Sequence, residues 1–283
     1  MSLSQSCRLF GVSRQSLYQS KKRHEHRRNK LNQLKPLVQN IRSIMPKLGT
    51  RKLYHLLQEQ LQQQQIKVGR DALFAYLKQE NMLIKPTRKY TKTTDSKHWL
   101  KKYPNLYKDL VVDRPEQVYV SDITYIKSKE KVHYLALVTD AYSRKIVGHH
   151  LGDDMTAESV VKAVSIALKN RKLQLPLIHH SDRGLQYCSQ LYQDKLKQYN
   201  VLPSMTDGYD CYQNALAERV NGILKNEFLF TKCKDYNDLN TLVYESINTY
   251  NQHRPHLALD MKTPNIVNEK TLEELLQGSN LKC

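Results

Sequence analysis

The sequence predicts an all-α, strongly basic N-terminal region followed by a mixed α/β core with a five-stranded sheet. Three observations carry this reading. Up to about residue 88 the apolar residues recur at helical spacing. From Val111 the texture changes to alternating, β-rich runs interleaved with helical ones. The charge divides at the same place. Residues 1–110 hold 24 Lys and Arg against 6 Asp and Glu, whereas residues 111–283 hold 21 of each, so the whole net charge of +18 lies in the first part.

A concentrated positive field attracts polyanions, and each neutralised phosphate releases counterions. A generic basic surface of the ribosomal-protein kind also binds nucleic acid, so nucleic acid is the expected partner on either view. No apolar run approaches the ~18 residues of a membrane span, and no Lys/Leu/Trp amphipathic helix favours a membrane surface. The start, MSLSQSCRLFGVSRQSLYQSKK, has no secretory h-region or cleavage site. The five cysteines, Cys7, Cys188, Cys211, Cys233 and Cys283, are odd in number, scattered and without a CxxC. Neither a disulfide framework nor a zinc site is expected, and a reducing cytoplasm is the natural compartment.

SQSCRLFGVSRQSLYQSKK reads as a helix-turn-helix. Cys7, Leu9 and Phe10 supply apolar positions, Gly11 allows the turn, Val12 packs inward and Ser13 caps the second helix. Arg14, Gln15 and Ser16 then open that helix, where a recognition helix meets base edges; an ordinary helical hairpin is the plainer alternative. KRHEHRRNK is a solvated helix or linker. Leu31, Leu34, Leu37, Val38, Ile41 and Ile44–Met45 mark a helix ending near Pro46, and Thr50 is a candidate cap for the next. VGRDALFAYLKQENMLI is one more helix, whereas QEQLQQQQ is uninformative. This gives a helical region over 1–88, a basic linker over 89–111, a core over 112–270 and a tail over 271–283. Trp99, with Tyr90, Tyr103 and Tyr107, has the chemistry to stack on bases, although core packing is the expected place of Trp99. In the core, QVYVSDITYI, VHYLALVTDAYSR, KIVGHHL, PLIHHSD and VLPSM are the strands. Thr156–Asn170, Leu191–Tyr199, Asn214–Phe228 and Tyr236–Tyr250 are helical.

Three acidic residues stand in separate motifs: Asp122 in a strand, Asp182 at the end of PLIHH, and Glu218 early in a helix, 35 residues intervening between the last two. A charge inside a sheet is costly unless paired or metal-bound, and α/β sites form at strand ends. Carboxylates brought together from different elements hold divalent ions about 4 Å apart, one activating the attacking oxygen of a phosphodiester reaction and one stabilising the leaving oxygen. Singly, each has a plainer reading: a strand-edge residue, a turn former before Arg183–Gly184, and a surface neighbour of Lys225.

The surrounding segments carry more. VYVSDITYI, VTDAYSRKIVG, HHSDRGLQYCSQLY, PSMTDGYDCYQNALAERVNGILKNEF and YNQHRPHLALDMKTPNIV cover most of residues 115–268. In type, order and spacing they resemble transposases of the insertion-sequence-three family, second-reading-frame (OrfB) product, whose RNase H-like core is shared with retroviral integrases. The resemblance implies that Asp122, Asp182 and Glu218 form an acidic triad binding two Mg²⁺ ions, with Mn²⁺ able to substitute. It implies in-line attack by water and then by a DNA 3′-hydroxyl, with no covalent protein intermediate, so that Ser143 and Cys188 are not nucleophiles. A basic residue seven after the glutamate touches the DNA end in related integrases; that role falls on Lys225, and less directly on Arg219. Gly222, one turn after Glu218, would let DNA approach. His180 would orient Asp182 or a water, or simply pack. His253, Arg254 and His256 match a family motif with no role derivable from the residues.

The chain departs from the family pattern at Gln213, often Asp, and at Tyr119, often Trp. The resemblance implies double-stranded DNA as partner, both the terminal inverted repeats and the target, a copy-out–paste-in route through a circular intermediate, and a dimer or larger assembly on DNA. It also implies an upstream-frame product fused by frameshifting, of which this chain would be the downstream part, and a cytoplasmic, nucleoid-associated place. Two other classes stay open: a DNA-binding regulator without catalysis, and an RNase H-like nuclease or retroviral-type integrase. The helix-turn-helix pattern disfavours the nuclease, and the missing HHCC module disfavours the integrase.

Overall fold

The computed structural model describes residues 2–85, 99–207 and 211–280. The chain divides into two compact units, Met1–Lys85 and Pro86–Cys283.

The first unit is helical: α1 (Leu3–Leu9), α2 (Arg14–Asn32), α3 (Leu34–Ile44), α4 (Thr50–Gln63) and α5 (Arg70–Gln79). Ser2 and Gln5 form a capping box on α1. Gly11 takes φ +65°, as the turn requires, and Ser13 Oγ accepts from Ser16 N at 3.0 Å, starting α2. The packing of this turn corrects the sequence reading. Of the apolar residues assigned to it, Cys7 is buried, but Leu9 is 71% and Phe10 75% exposed, and Val12 is also exposed. A seven-residue helix has room for one contact face. The core of the unit comes from later residues instead, Leu34, Val38, Leu48, Leu53, Leu57, Leu73 and Leu77. Thr50 does not cap α4; Gly49 holds that position and Thr50 is already helical. The basic run KRHEHRRNK is a continuation of α2.

The second unit is built on a five-stranded sheet of β1 (Val118–Lys127), β2 (Val132–Asp140), β3 (Ile146–Gly152), β4 (Leu177–Ser181) and β5 (Val201–Met205), in the order β3-β2-β1-β4-β5. The first three strands are antiparallel, and β4 and β5 run parallel to β1. This is the mixed sheet expected of an RNase H-like core. Helices α6 (Ala157–Lys169), α7 (Leu185–Cys188) and α8 (Gln190–Gln198) cover one face. There Tyr119, Ala136, Val138, Val164, Leu177, Tyr192 and Val201 share one core. On the other face Val118, Val120 and Ala141 pack with Ala217 of α9 (Ala215–Ile223). A π-helical turn (Leu224–Phe228), α10 (Tyr236–His253) and α11 (Pro264–Asn280) follow.

Both sheet edges are covered, which blunts their tendency to pair with other chains. Asn251 on α10 bonds both the N–H and the carbonyl of Ile146 on β3. Beside β5, Met205 N donates to Pro104 O and Leu106 N to Ser204 Oγ. The stretch read as a linker over 89–111 therefore divides. Residues 86–98, Tyr90 among them, lie outside the described residues, whereas Leu100, Tyr103, Tyr107 and Leu110 pack on the core. Trp99 is 92% exposed, which corrects its expected place in the core. Of the stretch read as a tail over 271–283, residues 271–280 continue α11, with Leu272 buried.

Candidate active site

The register brings two of the three acids together. Val120 on β1 pairs with His180 on β4 in parallel, so Asp122 and Asp182 lie two residues further along neighbouring chains. Alternation turns Asp122 and Thr124 toward the face that α9 covers. Asn221 on α9 donates to Asp122 Oδ2 at 2.8 Å, and Ile123 N donates to Oδ1 at 2.8 Å. Asp182 Oδ1 accepts from Gly184 N at 3.0 Å. Glu218 lies one helical turn before Asn221 and is exposed.

The electrostatics report the crowding. The Asp122 carboxyl is pushed up to about 7, first by burial and then by the charge of Asp182, with the hydrogen bonds from Asn221 and Ile123 opposing. Glu218, exposed on α9 yet partly desolvated where the helix lies over the site, is raised by that desolvation and then by Asp182. Between the ordinary carboxylate value and about 7 the folded chain holds a proton that the unfolded chain has released. Stability from Asp122 is therefore full below about pH 4 and lost as pH rises through 7. Asp122→Asn removes that loss, and Asn221, whose buried Oδ1 has no hydrogen-bond partner, can turn its amide to accept from the new one. The stabilisation by Asp122→Asn is expected to grow by roughly 2 kcal/mol between pH 5 and pH 8. Melting curves of the variant and the unmodified chain at the two pH values check this, and a pH-independent difference would contradict the coupling.

Lys225, seven residues after Glu218, reaches the same strand. Its Nζ donates to Thr124 Oγ1 at 3.2 Å and lies 3.9 Å from the centroid of the Tyr125 ring. Burial pulls its pKa down. Arg219 is exposed and turned about 100° round the helix from Glu218. A Cβ at Gly222 would meet nothing within 4 Å, so that side of α9 is open. Arg14, Gln15 and Ser16 are exposed at the start of α2, in the other unit.

His180 is a strut rather than a partner of Asp182. Its Nε2 donates to Gln213 O at 3.1 Å, which leaves Nδ1 to accept from Ser204 Oγ at 2.9 Å. Burial holds it down to about 4 and His179 to about 3, so both rings are neutral at neutral pH. His179 lies between Ser121 Oγ and Tyr192 Oη. Gln213, the departure from the family's Asp, supplies an acceptor: its Oε1 takes bonds from Asn105 Nδ2 and Asp207 N. Asn214 Nδ2 donates to Ser121 O at 3.0 Å. Asn214 and Asn221 thus pin α9 to β1 at both ends. Sequence reading singled out neither, although the spacing of Asn221 from Glu218 and Lys225 puts all three on one face. Ser143 is buried, its hydroxyl donating to Asp140 Oδ1 at 2.7 Å, and Cys188 is buried with Sγ toward Met205. Neither is presented to a substrate.

Among the described residues no three His, Cys, Asp or Glu side chains are drawn close enough to hold a metal ion between them. The donors Asp122 and Asp182 are nonetheless of the right kind. A carboxyl raised by the charge of its neighbour, as Asp122 is by Asp182, favours a divalent cation between the two, and magnesium takes oxygen ligands, keeping several of its waters.

Two models of the integrase core domain match the chain, over residues 112–211 and 199–264. The uncharacterized 31 kDa protein of insertion element IS600 from Shigella sonnei is 35% identical over 269 residues, spanning 93% of this chain and 97% of that protein. Transposase InsF for insertion sequence IS3A from Escherichia coli (strain K12) is 37% identical over 154 residues. That match spans about half of either protein, 54% in each case. Among solved structures, the HTLV-2 integrase catalytic core domain in complex with magnesium, trimeric form, is 23% identical with a TM-score of 0.45, covering 55% of this chain and 97% of that one. The simian T-cell lymphotropic virus intasome in complex with PP2A regulatory subunit B56 gamma is 17% identical with a TM-score of 0.48, covering 81% of this chain and 73% of that one.

Proposed function

This chain belongs to the IS3-family transposases with an integrase core domain, and from that premise we propose that it binds the ends of its insertion sequence, cuts one strand at each end and joins the 3′-hydroxyls to target DNA. Asp122, Asp182 and Glu218 are the acidic triad of this reading. The observation that carries it is that parallel pairing sets Asp122, midway along β1, beside Asp182, just past the end of β4, beneath α9 with Glu218 and the π-helical turn with Lys225. Asp122 and Asp182 would hold divalent metal, with Glu218 closing the site from α9. Two magnesium ions, or manganese in their place, would supply Lewis acidity at the attacking and leaving oxygens. The protein's own part is positional: Asn221 fixes the Asp122 carboxylate, and the Lys225 ammonium takes a phosphate of the DNA end. Two ends must be held at once, so the working species is a dimer or larger on DNA.

End recognition falls to the basic helical region, residues 1–88, through Arg14, Gln15 and Ser16. Arg14→Ala is expected to weaken binding to the element's own ends, and titrations at several salt concentrations tell its mode. A phosphate contact lowers the salt slope by about 1 for all sequences. A base contact costs about 1–3 kcal/mol on the specific end alone. No change in either quantity would remove Arg14 from the interface.

The test of the function is strand cleavage and joining by the purified chain on labelled duplexes bearing those ends, with Mg²⁺, with Mn²⁺ and with chelator. Cation-dependent nicking at the end and transfer to a second duplex are expected. Binding without cleavage would instead make this chain a regulator, or the downstream part of a fusion with an upstream-frame product.

A further inference from the structure

We propose that Arg254 is a positioning residue which, through Glu227, holds the π-helical turn that presents Lys225; this rests on Lys225 being the contact to the DNA end. The turn is the weak link in the site. It spans Leu224–Phe228, with Leu229 N bonding Leu224 O at 2.8 Å. Such wide turns are rare, are not favoured by the backbone alone, and recur at functional positions. Leu224 and Phe228 bury its two ends. Between them Lys225 reaches β1, while Glu227, two residues on, reaches Arg254 at the C-terminal cap of α10.

Arg254 meets Glu227 with both arms of its fork, Nε to Oε2 at 2.8 Å and Nη2 to Oε1 at 2.6 Å. A bidentate pair fixes rotation as well as distance, which a lysine at the same place cannot do. The far side of the clamp is anchored to the sheet. Arg254 Nη1 donates to His256 Nε2 at 3.1 Å, and the His256 ring stands edge-on to Tyr250 at 5.0 Å. Tyr250 Oη donates to Arg144 O at 3.1 Å in the β2–β3 turn, and Asn251 holds Ile146. The YNQHRPH motif therefore runs from the edge of the sheet to the turn beside the acids.

Arg254 is 2% exposed. Its partner Glu227 is partly buried, and an ion pair drawn out of water is a poor source of stability, because desolvation offsets the attraction and an apolar pair of the same volume does as well. What the pair supplies that an apolar one would not is a fixed orientation of the turn. Lys225 meets Thr124 and the face of the Tyr125 ring with its charge partly desolvated, so these contacts depend on how the turn aims it.

The experiment compares the unmodified chain, Lys225→Ala, Glu227→Gln, and the two together, with Arg254→Lys alongside. Cleavage rate at saturating DNA, end affinity and melting temperature are measured for each. Lys225→Ala and Glu227→Gln are each expected to lower cleavage or end affinity by about ten- to a hundredfold. Glu227→Gln should add nothing once Lys225 is gone, and Arg254→Lys should follow Glu227→Gln. An equal loss from Glu227→Gln in both backgrounds would leave the Lys225 reading standing and overturn the role of the clamp. So would a fall in melting temperature with DNA cleavage and binding unchanged. No effect of Lys225→Ala would overturn the Lys225 reading and this inference with it. Glu227→Gln keeps the shape of the side chain and an oxygen acceptor, so it carries the test if Arg254→Lys does not fold.

Discussion

Asp182→Ala is expected to abolish strand cleavage and joining while leaving binding to the element's ends intact. Loss of groups that merely orient metal ligands costs ten- to a hundredfold, so loss of a ligand itself should exceed about a hundredfold. The fold should survive. Asp182 has no place in the apolar core, and the bond from Gly184 N at 3.0 Å is among what is lost. Against that loss, the neighbouring Asp122 is relieved of a repelling charge. Cleavage gels and end-binding titrations on the same preparation check the prediction. Cleavage retained within a few fold would remove Asp182 from the chemistry. Loss of binding together with cleavage would mean that the substitution acts on folding or on DNA docking. Wild-type binding without cleavage would send attention to an upstream fused part before any variant is interpreted.

The largest effect on stability is expected at Gly148, on β3 beneath α6. A Cβ there would lie 2.2 Å from the Ala163 carbonyl oxygen and 3.1 Å from both N and Cβ of Ala167. The first and nearest of these is backbone, so no rotamer change relieves the contact. Helix α6 comes this close because Ala163 and Ala167 face the strand and all three residues are small. Overpacking a core by a methyl group or two costs about 1–3 kcal/mol, and more where backbone must shift. Gly148→Val is expected to sit at or above the top of that range. For a unit of this size that is a fall in melting temperature of roughly 10 °C. Gly222→Ala is the control: it meets nothing within 4 Å and should stabilise α9 by up to about 1 kcal/mol. A melting temperature within 2 °C of the original for Gly148→Val, about what 1 kcal/mol produces, would show that α6 can move off the sheet at little cost.

What the sequence determined by itself was local and chemical. Alternation in VYVSDITYI defined β1, and helical spacing defined α3, α6 and α10, because period-2 and period-3.6 patterns are written by burial on one face. The segregation of all the net charge into residues 1–110 was legible because composition needs no coordinates. The candidate acids were legible because few residue types hold divalent cations over phosphate, and because the segments around them are specific.

What the tertiary structure decided was everything that depends on which chains become neighbours. Parallel pairing of β1 with β4 placed Asp122 beside Asp182, although sixty positions part them in the sequence. Asn214 and Asn221 became fixings of α9 only because β1 offers Ser121 O and Asp122 opposite them. His180 turned out to hold Gln213 and Ser204 rather than Asp182: two residues apart the two share a face, but both ring nitrogens are taken by groups that only folding brings up. Leu9, Phe10 and Trp99 read as core residues and are exposed, since hydrophobicity gives a preference for burial but not a partner to be buried against. The motif at Arg254 had no derivable chemistry in sequence. Its meaning lies in Glu227, twenty-seven residues earlier, and only folding brings that partly buried carboxylate to the buried guanidinium.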